Sequence, residues 1–116
     1  MPLPGNPNFM AGVPELVVLR LLRDREMYGY EIVQAIREQS GEVLSVGEGV
    51  IYPVLHALEK DGALKSRRKT VGGRSRVYYT VTPKGLKRFE VLAGDWSTLA
   101  AAIRAVLNGG QHVPAV

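Results

Sequence analysis

Six of the fifteen lysine and arginine residues lie in one short stretch of the sequence, on either side of the pair Gly72-Gly73. The six are Lys65, Arg67, Arg68, Lys69, Arg74 and Arg76. The segment from Lys65 to Arg88 holds nine basic residues and no acidic ones, whereas the rest of the chain holds six basic and eleven acidic residues. Such segregation predicts a polyanionic partner, because lysine and arginine side chains neutralise phosphates. The alternative is a strand edge guarded by charge, although one or two charges are enough for that purpose.

A short helical run comes directly before the basic stretch and would position it. Ser45 is followed three residues later by Glu48, the capping-box pattern that marks the start of a helix. The residues that repeat on the core face of this helix are Ile51, Leu55 and Leu58, with Val54 beside them. Pro53 removes one helical N–H, which costs little if the regular helix begins near Gly49. A helix of this size fits the major groove of DNA, which is about 12 Å wide.

Further helices and a β-hairpin frame this run. The predicted elements are a first helix from Pro14, a second over about 28–39, strands over 64–71 and 76–82, and a last helix from Thr82-Pro83. Gly72-Gly73 supplies the positive φ angles that a tight hairpin turn needs. The residues Val77, Tyr79 and Val81 alternate with Tyr78, Thr80 and Thr82, which is typical of a half-buried strand. We therefore predict a mainly α fold with a small β-hairpin, arranged as a winged helix-turn-helix.

The last predicted helix carries an unbroken apolar heptad. Its repeating residues, spaced alternately three and four apart, are Leu86, Phe89, Ala93, Trp96, Ala100, Ile103 and Leu107. This is the spacing of a coiled-coil seam. A helix of about 25 residues is also some 37 Å long, which is more than a small body can cover. We therefore expect a C-terminal dimerisation helix with these residues at the dimer interface; the alternative is that the helix folds back onto its own domain.

The length of 116 residues indicates one domain. We divide it into an N-terminal arm (1–12), a DNA-binding unit (13–82), a dimerisation helix (83–108) and a flexible tail (109–116). The first thirteen residues have neither the charged region nor the apolar core of a signal peptide, and no run of eighteen apolar residues could span a membrane. We therefore expect a cytoplasmic protein.

Catalysis is the competing function class, and the sequence offers little for it. Cysteine is absent, which excludes disulfides, a thiolate nucleophile and cysteine-based zinc sites. The two histidines, His56 and His112, are far apart in the sequence, and no phosphate-binding loop, acid pair or metal-ligand spacing is present. We expect no enzyme activity, no cofactor and no metal.

Three segments, in order along the chain, resemble the PadR family of bacterial transcriptional regulators. The segment 28–32 (YGYEI) resembles the opening of that family's second helix, 49–62 its recognition helix, and 73–82 its wing. The single short C-terminal helix is similar to that of the smaller PadR subfamily. Val50 and Val77 depart from positions where the family often carries a hydroxyl or basic residue, which affects the sequence preference. The resemblance implies a homodimeric repressor that binds palindromic DNA and is released by a small aromatic or hydrophobic effector.

Candidate DNA contacts come from the second helix, the recognition helix and the hairpin. They are Tyr28, Ser45, Glu48, Gly49, Tyr52, His56, Lys65, Lys69, Arg74, Ser75 and Arg76. Tyr52 and His56 are four residues apart on the face opposite the apolar stripe, where they could meet bases; the alternative is that Tyr52 packs on the domain and His56 is solvated. Arg74 and Arg76 flank the hairpin tip, where they would meet phosphate or the minor groove.

The single tryptophan suggests an effector site. Trp96 lies at a seam position, and the small residues Ala93 and Ala100 flank it. Large side chains beside small ones could leave a slot for a planar ligand between two indoles. The resemblance supports this, because drug-sensing PadR regulators carry a tryptophan in the same helix. The effector-binding residues would be Phe89, Leu92, Trp96 and Leu99. The alternatives are that Trp96 only fills the dimer core, and that the protein is a nucleic-acid-binding adaptor with no ligand site.

Overall fold

A computed structural model describes residues 12–110. Its elements are α1 (Val13–Asp24), β1 (Met27–Tyr28), α2 (Gly29–Gln39), α3 (Glu48–Lys60), β2 (Leu64–Val71), β3 (Arg74–Val81) and α4 (Pro83–Leu107). The strands form one antiparallel sheet in the order β1-β3-β2. Helices α2 and α3 with the β2–β3 hairpin make a winged helix-turn-helix, which confirms the predicted fold class. Of the predicted arm and tail, residues 1–11 and 111–116, including His112, lie outside the described residues.

The core lies where α1, α2 and α3 meet the sheet. Its fully buried large side chains are Val18, Leu19, Ile32, Ile51, Leu55 and Leu64. Helix α1 is buried on two sides, because its valine and leucine run contacts both the other helices and the sheet. The predicted core stripe of α3 is confirmed, since Ile51, Leu55 and Leu58 are all buried. The opposite face of α3, which carries Tyr52 and His56, is therefore exposed.

The hairpin closes as predicted through Gly72-Gly73. Both glycines have positive φ, +59° and +78°, and Val71 pairs with Arg74 across a two-residue turn. Because an L side chain rarely adopts such angles, glycine is required at both places. Strand β2 has the predicted bounds, whereas β3 begins at Arg74, two residues earlier than expected.

Strand β1 is an element that the sequence analysis did not predict. Met27 pairs with Tyr79, and Tyr28 pairs with Tyr78. This short strand covers the free edge of β3 near the core. As a result Tyr78 and Tyr79, on opposite faces, are both buried, so the simple alternation predicted for this strand does not hold.

The predicted capping box at Ser45 and Glu48 is wrong. Helix α3 begins at Glu48, its N-cap is Gly47, and no side chain caps it. Val46 is buried and Gly47 is extended (φ −82°, ψ 175°), so the helix starts later than a cap at Ser45 would require. Pro53 lies inside the helix and is exposed, where it removes the N–H that would bond to the Gly49 carbonyl.

Helix α4 is fixed to the rest of the fold at its first turn. The Thr82 hydroxyl donates to the Gly62 carbonyl (2.6 Å) and accepts from the backbone N–H of Gly85 (3.1 Å). The Lys84 ammonium donates to the Asp61 carbonyl at 2.6 Å. Gly85 lies against the Ala63 carbonyl with no room for a side chain. The start of α4 therefore holds the connection that leaves the end of α3.

Beyond its first three turns, α4 extends away from its own domain. Phe89 and Leu92 are partly buried against the core. Trp96, Leu99 and Ile103 are each about half exposed, at 48%, 52% and 48%. The alternative in which α4 folds back on its own domain therefore describes only the first part of the helix, and the second half of its apolar face is uncovered.

Candidate nucleic-acid interface

A polar cleft of about 370 Å³ lies between the start of α2, the outer face of α3 and strand β3. Its lining residues are Tyr28, Gly29, Tyr52, His56, Arg68, Ser75, Arg76, Val77 and Tyr79. Five of these were predicted as DNA contacts: Tyr28, Tyr52, His56, Ser75 and Arg76. The fold thus brings together residues that are separated by up to 48 positions in the sequence.

Arg76 is held at the cleft by an aromatic ring. Its guanidinium carbon lies 4.4 Å from the centroid of the Tyr28 ring. The Tyr28 ring in turn meets Tyr78 edge to face, with centroids 5.4 Å apart and an interplanar angle of 74°. A guanidinium stacked on a ring keeps its N–H donors available at the edge. This geometry suits the recognition of a phosphate oxygen.

Tyr52 occupies two environments at once. Its hydroxyl packs on Gly29, where a Cβ atom would lie only 2.5 Å from the oxygen, yet 36% of the residue remains exposed. Its ring centroid is 6.2 Å from that of His56, one turn further along α3. Tyr52 therefore packs on α2 and also faces outwards. The first backbone N–H groups of α2 begin beside it, and such helix starts favour anions.

The start of α3 provides the approach to this cleft. Ser45, Glu48 and Gly49 are exposed there, next to Val50, which is 47% exposed. An apolar residue left outside on a short helix is suited to contact with the apolar edge of a base, such as a thymine methyl group. Val50 was identified only as a departure from the family pattern, so its exposure adds a contact candidate.

Arg68 is a cleft residue that the sequence analysis left out of the candidate contacts. It lines the cleft and donates to the Ser75 hydroxyl across the hairpin at 3.2 Å. Its neighbour two residues away, Ser66, bonds to Glu59 on α3. Residues 66 and 68 therefore share the face of the sheet that looks toward α3. Strand alternation from the buried Leu64 would have identified this face.

The other face of β2 carries an ion-pair cluster. Lys69 and Arg67 both contact the carboxylate of Glu26, and the Arg67 distance is 3.4 Å. The Lys69 ammonium also lies 4.3 Å from the Tyr78 ring centroid. Hydrogen bonding by Lys69, together with the nearby Arg67, holds the pKa of the Glu26 carboxyl below its ordinary value. Lys69, a predicted DNA contact, is thus paired within the chain.

The remaining predicted DNA contacts lie on the hairpin itself. Lys65 and Arg74 are exposed at opposite ends of the two strands. Among residues 12–110, the ion pairs found on β2 and β3 engage only Arg67 and Lys69. Lys65, Arg68, Arg74 and Arg76 are therefore the hairpin cations outside these ion pairs. By the strand register, Arg68 lies on the face toward α3, whereas Lys65, Arg74 and Arg76 lie on the opposite face with Arg67 and Lys69.

A separate apolar notch of about 160 Å³ lies between α1 and α4. Its lining residues are Gly12, Val13, Leu16, Leu92, Asp95, Trp96 and Leu99. Three of the predicted effector residues, Leu92, Trp96 and Leu99, meet here. Phe89 does not line the notch; the Arg23 guanidinium lies 5.4 Å from its ring centroid instead. Of the described lining residues, only Asp95 carries a charge.

The predicted dimer-interface residues lie along one side of α4. Leu86, Trp96, Ile103 and Leu107 are exposed large apolar side chains, whereas Ala93 and Ala100 are partly buried.

Across residues 12–110, no helix combines the length and hydropathy needed to cross a membrane. The same residues contain no group of three or more histidine, cysteine, aspartate or glutamate side chains placed to hold a metal ion.

Comparison with known proteins places this geometry in a family. The profile of the "Transcriptional regulator PadR-like family" matches residues 18–91. Transcriptional regulator Rv3488 of Mycobacterium tuberculosis is 36% identical over 104 residues, 90% of this chain and 92% of that one. Negative transcriptional regulator PadR of Bacillus subtilis is 31% identical over 85 residues, 72% of this chain and 44% of that one.

Superposition on solved structures leads to the same kind of protein. A solved structure of a transcriptional regulator from Clostridium thermocellum superposes with a TM-score of 0.78 at 30% identity, covering 84% of this chain and 95% of that one. The profile match includes the second helix, the recognition helix and the hairpin, the three segments on which the resemblance rested. The chain belongs to the PadR-like family of transcriptional regulators.

Proposed function

We infer that this regulator is a cytoplasmic homodimeric repressor that binds a palindromic operator and is released by a small planar effector. The observation that carries the DNA-binding part is the cleft that joins the outer face of α3 to Arg68 and Arg76. A recognition helix with arginines beside it that can bind phosphate suits docking in the major groove. The repressor role is favoured by the similarity to the negative regulator of Bacillus subtilis.

The contacts divide by chemistry. Tyr52, His56 and Val50 would meet base edges, because their side chains are exposed on α3. Arg68 and Arg76 would bind backbone phosphates beside it, together with Tyr28, Lys65, Arg74, Ser75 and the start of α3 at Ser45, Glu48 and Gly49. Phosphate contacts fix the register of the protein on DNA, whereas base contacts select the sequence.

Salt dependence tests the phosphate contacts. If a dimer engages about six to eight phosphates, log affinity should fall against log salt with a slope near −5 to −7. Replacing Arg74 and Arg76 by alanine should weaken binding to every duplex and flatten the slope by about 2 to 4 per dimer. The matched control replaces Arg20 and Arg37, which are exposed and ion-paired on α1 and at the end of α2. Equal slopes in the two double variants would remove the hairpin from the contact surface.

The dimer is proposed from the uncovered half of α4. Its large apolar side chains follow the heptad spacing of a seam and remain about half exposed or more in the protomer. A second copy of the same helix supplies a matching face, since a two-fold interface is self-complementary. The two recognition helices would then lie about 34 Å apart, one turn of DNA. Analytical ultracentrifugation should show twice the protomer mass.

The effector is proposed from the notch beside Trp96. A planar aromatic could stack on the indole, with a gain of roughly 0.5–1.5 kcal/mol beyond its buried area. Since Asp95 is the charged group among the described lining residues, a flat cation should bind better than a flat acid. Titration of the DNA-free protein with acridine orange should quench the Trp96 emission, whereas naphthoate should not. An indole that responds to neither probe would favour the adaptor without a ligand site.

A further inference from the structure

Tyr78 is buried, but it is not part of the hydrophobic core. Only 8% of the residue is exposed, yet the cluster of core side chains includes its neighbour Tyr79 and not Tyr78. The strand register explains this difference. Tyr79 pairs with Ser66 on the face toward α3, and Tyr78 lies on the opposite face because side chains alternate along a strand. Tyr78 is thus buried on the side of the sheet that faces away from the core.

Two contacts cover the Tyr78 ring on that side. The Lys69 ammonium lies 4.3 Å from its ring centroid, and the Tyr28 ring meets it edge to face with centroids 5.4 Å apart. Lys69 is itself paired with the carboxylate of Glu26. Tyr78, on the central strand β3, is therefore held by β2 on one side and by β1 on the other.

The same contacts continue to a proposed DNA contact. The Arg76 guanidinium carbon lies 4.4 Å from the centroid of the Tyr28 ring, and both residues line the cleft beside α3. Tyr78 is not among the lining residues of that cleft. The side chains of Lys69, Tyr78, Tyr28 and Arg76 thus form one continuous row across the three strands, with a cation at each end. The only ring of this row that reaches the cleft is backed by one that does not.

We propose that Tyr78 is a positioning residue for DNA binding: its ring fixes the Tyr28 ring, on which the Arg76 guanidinium is held ready for a phosphate. The proposal rests on the phosphate contact of Arg76 proposed above. Tyr78 touches no DNA in this arrangement, because it is buried and lies outside the cleft. An arginine that is already held in place loses less side-chain freedom when it binds, and affinity gains by that difference.

The test is a double-mutant cycle between Tyr78 and Arg76. Tyr78→Ile keeps a large apolar side chain that suits a strand but removes the ring, whereas Tyr78→Phe keeps the ring. Thr80→Ala is the control for a weaker strand, because Thr80 lies two residues along on the same face, opposite Lys65 and outside the row. Each change is made in the wild type and in Arg76→Ala. Affinity is measured by fluorescence anisotropy over a series of salt concentrations, with a duplex selected from a random pool by the wild-type protein, and circular dichroism checks that each variant is folded.

Tyr78→Ile should weaken binding by the wild type at least about fivefold, and by less than about twofold when Arg76→Ala is already present. It should also flatten the salt slope by about one for each protomer engaged, although it changes no charge. Tyr78→Phe and Thr80→Ala should bind within about twofold of the wild type. Equal losses in the two backgrounds, or an unchanged slope, would make Tyr78 a structural residue only and overturn the proposal. So would an Arg76→Ala variant that binds as tightly as the wild type, since no contact would then need positioning.

A surface variant keeps the test open if Tyr78→Ile does not fold. Glu26→Gln combined with Lys69→Met takes the ammonium off the Tyr78 ring without changing the net charge. This pair should weaken the wild type more than it weakens Arg76→Ala, by at least about threefold. The same change in both backgrounds would contradict the proposal. If selection recovers no duplex that the wild-type protein binds, the DNA-binding function itself fails, which is a different result from any of these.

Discussion

Replacing Gly85 by alanine tests whether α4 is fixed to the fold in the way described. A Cβ atom at this position would lie 2.7 Å from Cγ2 of Val81 and 3.1 Å from the carbonyl carbon of Ala63, and closer still to the oxygen of that carbonyl. Ordinary contacts between such atoms are about 3.5 Å or longer. The carbonyl belongs to the backbone and has no rotamer to change, so the first turn of α4 would have to move.

Two opposing terms set the size of the effect. Alanine is favoured over glycine in a helix by up to about 1 kcal/mol, whereas overpacking at a rigid contact costs typically 1–3 kcal/mol and occasionally more. The Gly85 contact is with backbone and belongs at the upper end of that range. We therefore expect a net loss of about 1–3 kcal/mol in the free energy of unfolding. In a chain of this size this lowers Tm by about 4–12 °C.

Gly94 in the same helix is the matched control. A Cβ atom there would meet nothing within 4 Å, and the residue lies on the side of α4 opposite Ile103. Gly94→Ala should therefore stabilise the protein by about 0.5–1 kcal/mol. Both variants should be unfolded in urea and by heat at one fixed protomer concentration, because the proposed dimer would make Tm depend on concentration. Equal stability of the two variants would refute the close packing at Gly85.

Three further predictions concern the cleft, the seam and the ion-pair cluster. Gly29→Ala should displace the Tyr52 side chain, which can move, so Tm should change by less than about 4 °C. Operator affinity should nevertheless fall at least tenfold (about 1.4 kcal/mol), and an unchanged affinity would mean that Tyr52 does not contact DNA. Ile103→Asp places a carboxylate in the seam at a cost of several kcal/mol and should give monomers by ultracentrifugation, whereas Ala101→Asp on the opposite face should stay dimeric. The pKa of Glu26 is lowered, chiefly by its hydrogen bond to Lys69, so its ion pairs stabilise the fold at neutral pH and lose this effect as pH falls through the lowered value. Below about pH 5 the wild type should therefore lose more stability in urea than Glu26→Gln as the pH is lowered.

The elements set by local chemistry could be predicted from the sequence. Gly72-Gly73 defined the turn because two successive positive φ angles require glycine. Strand β2 followed directly from that turn. Thr82-Pro83 defined the start of α4, where the threonine hydroxyl does accept from the backbone N–H of Gly85. In each case the signal lies within a few residues of the feature that it determines.

What could not be predicted depends on contacts between distant residues. Strand β1 has two residues, too few for any periodicity. The ion pairs of Glu26 cross more than 40 positions, and a count of charges along the chain cannot show which of them are paired. The capping box also failed, since the helix begins only at Glu48, after Val46 has entered the core. The cleft could not be predicted from the sequence either, because Tyr28 and Arg68 come together only when β1 and β2 both pair with β3.

Because α4 is fixed at its first turn by Thr82, Lys84 and Gly85, the position of everything beyond that turn follows from helix geometry. One residue inserted between Gly85 and Trp96 would rotate the far half by about 100° and advance it by about 1.5 Å, turning the indole away from α1. An insertion of about seven residues would return the apolar face of α4 to within roughly 20° of its original direction and lengthen the helix by roughly 10 Å. Natural variation in the length of this helix should therefore occur in steps of about seven residues, and in the proposed dimer each step would select a different spacing between the two half-sites of the operator.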